Sequence, residues 1–181
     1  MFRRWVAVSL MSAVSALAAA HQHADLPPAL KRTPKAFAVE RQLGEPPREV
    51  AELRFRDVFK LPVGPRGLEL TERLTELDGR RVRLVGYMVR AGVDGGFVLS
   101  PLPAVLGDAD EGLADDLPPS AVLVEMPDQA QLRSGHMPGL IQVTGRLRVG
   151  SVESDDLPGR VFPLRLELDP ALGKILRKAN K

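Results

Sequence analysis

Five short strand-like stretches, glycines inside the first and fourth of them, and one amphipathic helix ahead of the set predict a mainly β fold. The arrangement that joins these features is a small five-stranded OB-like barrel, with one helix before the first strand and a disordered N-terminal arm. A small β-sandwich is the alternative. The 181 residues divide accordingly: a signal peptide over 1–20, a Pro-rich flexible arm over 21–48, the OB-like β domain over 49–170 and a basic C-terminal segment over 171–181.

The leader comes first. Arg3 and Arg4 precede an apolar run from Trp5 to Leu17, which is short for a membrane span, and Ala18-Ala19-Ala20 supplies the small residues of a cleavage site. Cleavage after Ala20 leaves His21 at the new N-terminus; cleavage after Ala18 leaves Ala19. A retained N-terminal membrane anchor is the alternative to removal. Without Arg3 and Arg4 the 25 basic residues become 23, against 23 acids, so the exported chain is formally neutral despite its overall pI of 9.2. That balance gives no electrostatic reason to bind nucleic acid. The chain has no cysteine, which excludes disulfides, thiolate metal sites, cysteine nucleophiles and cysteine acylation. The remaining chain of about 160 residues suits one domain with no further membrane-length segment. Its composition, rich in Ala, Leu, Arg and Gly and poor in Lys, suits the periplasm of a high-GC Gram-negative bacterium.

In the arm, Pro27, Pro28, Pro34, Pro46 and Pro47 block helices and central strands, leaving Phe37 and Val39 to touch the domain surface. Residues 49–60 fit either a helix face through Val50, Leu53 and Val58 or an alternation through Leu53 and Phe55. Gly64-Pro65-Arg66-Gly67 is a turn. The helix follows over Leu68–Leu77, with Leu70, Leu74 and Leu77 at i, i+4 and i+7, Thr71 as its cap and Gly79 as its stop.

The first strand carries Val82, Leu84, Gly86 and Met88 on its core face, and Gly86 marks a bulge or coil that lets it serve two sheet segments. A Gly- and Asp-rich turn over Ala91–Gly96 leads to the second strand, Gly96–Ser100. The loop Pro101–Ser120 is long enough to be functional. Ala121–Met126 is the third strand, Leu140–Val149 the fourth, with Gly145 inside it, and Arg160–Leu168 the fifth, with Pro163 suggesting an edge. Between the third and fourth, where an OB-fold carries a helix, lie about a dozen helix-poor residues.

Candidate chemistry is sparse. After cleavage at Ala20, the free amine, two amide nitrogens and the His23 imidazole, with His21 adding a nitrogen, suit Cu(II) or Ni(II), and Zn(II) more weakly. The plain alternative is a polar tail beside a cleavage site. His136, in a turn next to Met137, is a second candidate copper ligand or a solvated histidine. Asp108, Asp110, Glu111, Asp115 and Asp116 make an acidic loop, but Gly112 stands at the third ligand position of a Ca²⁺ loop and no spaced terminal Glu follows. No Gly-x-Ser-x-Gly or Gly-x-x-x-x-Gly-Lys is present. Arg80, Arg81, Arg83, Arg146 and Arg148, with Tyr87 and Phe97, could mimic a nucleic-acid surface; solvated outer strand faces fit the charge balance better.

Leu77-Asp-Gly-Arg-Arg-Val-Arg-Leu-Val-Gly-Tyr-Met-Val89, followed by a Phe-x-Leu strand, a Pro-containing loop, a Val-rich strand and a Val-x-Gly, resembles an exported bacterial family catalogued as domain of unknown function 3299. The resemblance spans roughly residues 68–168. It implies an OB-like fold and an accessory role beside envelope ABC transporters, sometimes in zinc-responsive gene sets. The family's loop typically holds a Gly-Ala-Cys-Ile-His run; this loop has neither Cys nor His, so an activity tied to them is not carried over.

The expectation is therefore a non-enzymatic periplasmic accessory or binding protein, tied to an envelope transporter protein or to zinc or copper handling. The alternative is an OB-fold adaptor that binds a protein or oligosaccharide through Pro101–Ser120 and a barrel face with Arg83, Tyr87, Asp108, Asp110, Asp115 and Asp116.

Overall fold

The computed structural model describes residues 30, 32–40, 43–103, 117–129, 131–132 and 135–179. Among these residues six strands form one mixed sheet: β1 (Ala51–Glu52), β2 (Arg81–Val93), β3 (Gly96–Ser100), β4 (Val122–Glu125), β5 (Leu140–Glu153) and β6 (Val161–Leu168). Two α-helices among the described residues accompany them, α1 (Glu72–Leu77) and α2 (Pro170–Ala179). The five expected strands are present, and β1 is a short addition from the ambiguous 49–60 stretch, which continues as a 3₁₀ turn at Phe55–Asp57.

The strand order is β1-β2-β3-β4-β6-β5, and β2 pairs with β5 as well, so the ladder returns to β2. β2 achieves this by changing partners along its length. Arg81–Tyr87 pairs with Arg146–Leu140 of β5, and Tyr87–Val93 pairs with Ser100–Gly96 of β3. The strand does serve two sheet segments, but Gly86 is not a bulge. Its pairing with Ile141 is in register, and the irregularities fall later, between Met88 and Arg90 and between Ala91 and Val93. Gly86 is required by proximity: a Cβ there would lie 2.7 Å from the Ser100 carbonyl oxygen and 2.8 Å from the Phe55 ring. Gly145 has the same reason, with the Glu167 carbonyl oxygen 2.2 Å from where its Cβ would be.

Alternation places two apolar layers on either side of β3 and β4. Phe97, Leu99, Val122 and Val124 join the main core with Leu84, Ile141, Leu164 and Leu166. Val98 and Leu123 face outward, yet they too are buried, beneath Leu117, Leu157 and Phe162. The chain therefore covers the outer face of β3 with its own loops.

Two expectations are corrected and one is made more specific. The arm is docked over residues 32–40: Phe37 is fully buried in the main core, Ala38 bridges Ile141, and Gln142 donates its backbone N–H to the Phe37 carbonyl at 2.8 Å. A buried aromatic ring outweighs the disorder suggested by the surrounding prolines. The helix is shorter than expected, and Thr71, although at its N-cap position, makes no side-chain cap. Its hydroxyl donates to the Asp57 carbonyl at 2.6 Å instead. The basic C-terminal segment is a helix, begun by Pro170 and seated through Leu176 and through Gly173 against Pro127.

Candidate functional site

Arg83 lies on the outward-pointing face of β2, where the sequence suggests a solvated or partner-binding side chain. The structure corrects this. Because β1 runs parallel to β2 with Glu52 beside Arg83, the guanidinium donates from Nε and Nη2 to Glu52 Oε2 at 2.9 and 2.7 Å. Nη2 also donates to the Gly44 carbonyl at 2.8 Å, and Arg83 is 6% exposed. It fastens the segment before β1 to the sheet. Arg81, by contrast, is half-exposed and forks onto Asp169. Burial opposes ionisation of Asp169, but hydrogen bonds from Arg81 and Thr144 outweigh it and hold the carboxyl below its ordinary value.

Tyr87 is half-buried where β2 passes from β5 to β3. Phe97 is fully buried in the core, so it offers no stacking surface. The loops that flank the β3 face are clasped together. Asp94, in the β2–β3 turn, accepts the N–H groups of Asp155 and Asp156 on Oδ1 at 3.0 and 3.1 Å, and its own N–H donates to Asp156 Oδ2 at 2.6 Å. Leu157, 2% exposed, follows directly and lies over Val98. Nothing in the composition marks this clasp beyond the Asp-Gly turn.

His136 is half-buried, and burial lowers its pKa. The Met137 side chain is fully buried in the core, and its backbone N–H points at Met88 Sδ, 3.3 Å away. Among the described residues, no three His, Asp or Glu side chains converge where a metal ion could sit. His21, His23, Asp108, Asp110, Asp115 and Asp116 lie outside the described residues.

Two hollows have charged linings. One, of 330 Å³, is lined by Glu52, Arg54, Asp57 and Arg73. A second, of 580 Å³, brings together Asp94, Glu125, Asp128 and Glu167, but Glu125 already pairs with Arg165 at 3.2 Å and Glu167 faces Arg148 at 3.8 Å.

The surface that is left unsatisfied is apolar. Residues 59–70 form a hairpin-like excursion, tied by bridges Phe59–Leu70 and Gly64–Gly67 and by Lys60 N–H to the Glu69 carbonyl at 2.8 Å. Its tip exposes Leu61 (74%), Val63 (54%) and Leu68 (46%). These are three of the eight large apolar side chains exposed among the described residues, gathered within eight positions. At its base Phe59 shares a 340 Å³ hollow with Pro119, Val161 and Pro163. Pro119 belongs to the Pro101–Ser120 loop, whose other end exposes Leu102. The end of that loop and the base of the hairpin therefore meet at one hollow, which Ser151 and Arg160 also line. The sequence shows the turn at Gly64–Gly67 but not that Leu61 and Val63 are exposed among the described residues.

No protein-family model and no curated protein matches the sequence. The fold is similar to the crystal structure of a DUF3299 family protein from Pseudomonas aeruginosa PAO1, with a TM-score of 0.43 and 16% identity, over 66% of this chain and 93% of that one. That family is the one that the Leu77–Val89 stretch resembles. No helix among the described residues is long and apolar enough to cross a membrane.

Proposed function

We propose that the chain is an exported, non-enzymatic adaptor, an OB-like barrel that docks a protein partner through the hairpin at residues 59–70 and the neighbouring end of the Pro101–Ser120 loop. The return of the ladder to β2 and the parallel pairing of β4 with β6 support the barrel reading. The observation that carries the function is the exposed cluster of Leu61, Val63 and Leu68 on a hydrogen-bonded scaffold, since clustered apolar exposure marks a contact surface where scattered exposure does not. Oligosaccharide binding on the β3 face is disfavoured, because Leu157 and Leu117 already cover it. The family resemblance points to an envelope ABC transporter as the place to look for the partner. Transition-metal handling is the second reading and rests on His21-Gln22-His23 alone.

Photo-cross-linking from position 63 in cells that export the chain tests the docking surface. A discrete protein adduct supports it; an unmodified band at every exposure time counts against it.

A further inference from the structure

The docked arm is held by contacts that a second copy of the chain supplies equally well. Leu30 donates its N–H to the His136 carbonyl at 2.9 Å, the Thr33 hydroxyl donates to the Pro138 carbonyl at 3.1 Å, and Gln142 Nε2 donates to the Ala38 carbonyl at 3.1 Å. Phe37 fills a socket in the main core. These partners lie about a hundred positions further along the chain.

The linker from this arm to β1 is at odds with its own sequence. Pro46-Pro47 favours extended backbone. The chain turns there instead, and the Val50 N–H donates to the Pro47 carbonyl at 3.1 Å. Glu49, the third residue of that turn, has φ 66°. Such a backbone suits Gly or Asn at that position, and a glutamate is strained in it. Residues 43–49 are exposed apart from the half-buried Pro46, and the 2.8 Å bond from Arg83 to the Gly44 carbonyl ties them to the sheet.

We infer that the arm is exchanged between two copies of this chain, each placing its Phe37 in the core of the other. Straightening the linker relieves Glu49 and lets the two prolines extend. It costs the bond to Gly44, whose exposed carbonyl then turns to water. An arm that merely detached would leave the Phe37 socket empty, a penalty like that of truncating a core aromatic. The arm of a second copy refills the socket with the same residues in the same register. The groove contacts then cancel between the closed and exchanged forms, and the linker decides between them. The occupant is this chain itself, because residues 30–38 are the sequence whose fit to the groove is seen. Exchange goes beyond hairpin docking and does not rest on it.

Cysteine linkage tests the exchange in the purified exported chain, which has no cysteine of its own. Thr33→Cys and Pro138→Cys are prepared separately, then unfolded, mixed, refolded and oxidised. A covalent pairing of one variant with the other is expected from the mixture. The double variant T33C/P138C, folded by itself, should link between chains. A link that closes inside one chain, or a mixture without the mixed pair, overturns the inference. Glu49→Gly removes the strain from the closed linker. It should weaken the dimer about fivefold per linker, roughly twenty-five-fold for two, in sedimentation equilibrium. A dimer as tight as that of the parent also overturns the inference.

Discussion

Arg83 and Asp169 show how single side chains set what the surface has left to offer. Arg83 is one of several arginines near the start of β2, and composition makes them look alike. Only the parallel β1 neighbour singles it out, by placing Glu52 alongside. Replacing Arg83 with Ala leaves the Glu52 carboxylate and the Gly44 carbonyl without their donor. Because Glu52 keeps about a quarter of its exposure, the loss should be about 2–3 kcal/mol, at or below the range for a fully buried pair. The double variant R83M/E52Q, which removes both charges, should lie within about 1 kcal/mol of the parent in urea unfolding. Asp169 gives the pH dependence. Its folded pKa is depressed, so its contribution is complete above the unfolded value of about 3.9 and is lost as pH falls through the folded value. Acidification from neutral pH should lower the melting temperature of the parent more steeply in this window than that of Asp169→Asn. Equal slopes would mean that the fork from Arg81 and the Thr144 hydroxyl contribute nothing.

At the scale of elements, hydrophobic alternation locates β2, β5 and β6 to within a few residues, while β3 and β4, buried on both faces, are legible as short apolar runs bounded by turn residues. What alternation cannot see is contact between segments far apart in sequence. The residues around Phe37 read as a polar, Pro-rich tail, yet Phe37 fills the main core and pairs its backbone with Gln142, 105 positions on. Phe37→Ala should cost about 3–5 kcal/mol, as a buried aromatic truncation does. An arm that only brushed the surface would give a loss near zero in the same denaturation experiment. α2 was legible in part: Pro170 opens it, and Leu172 and Leu176 sit one turn apart. Its basic composition masks that pattern, and its partner, Pro127, could not be named from spacing alone. Gly86 and Gly145 stand out inside strands as glycines, but the reason for each lies in a carbonyl from another strand.

For the whole molecule, the distribution of cover matters most. The outer face of β3 is covered by Leu117 and Leu157, with the Asp94 clasp beside them. Apolar exposure is concentrated instead at the hairpin and at the hollow under Phe59, Pro119 and Val161. The sequence identifies the Pro101–Ser120 loop as the place to look, from its length; it could not show that one end of that loop adjoins the hairpin. Nor could the candidate metal residues be sorted by type alone: His136 is half-buried, whereas the neighbouring Met137 side chain is fully buried in the core. Docking through the hairpin is the central claim, and a comparison of cross-linking positions tests it most directly. A photo-reactive residue is placed at Val63 or Leu68 on the hairpin, and at Asp94 or Asp156 beside the sealed face, in cells that export the chain. The account predicts a discrete protein adduct from the hairpin positions, lost when Leu61 is replaced by Asp, and none from the clasp. Adducts from the clasp with a silent hairpin would contradict it.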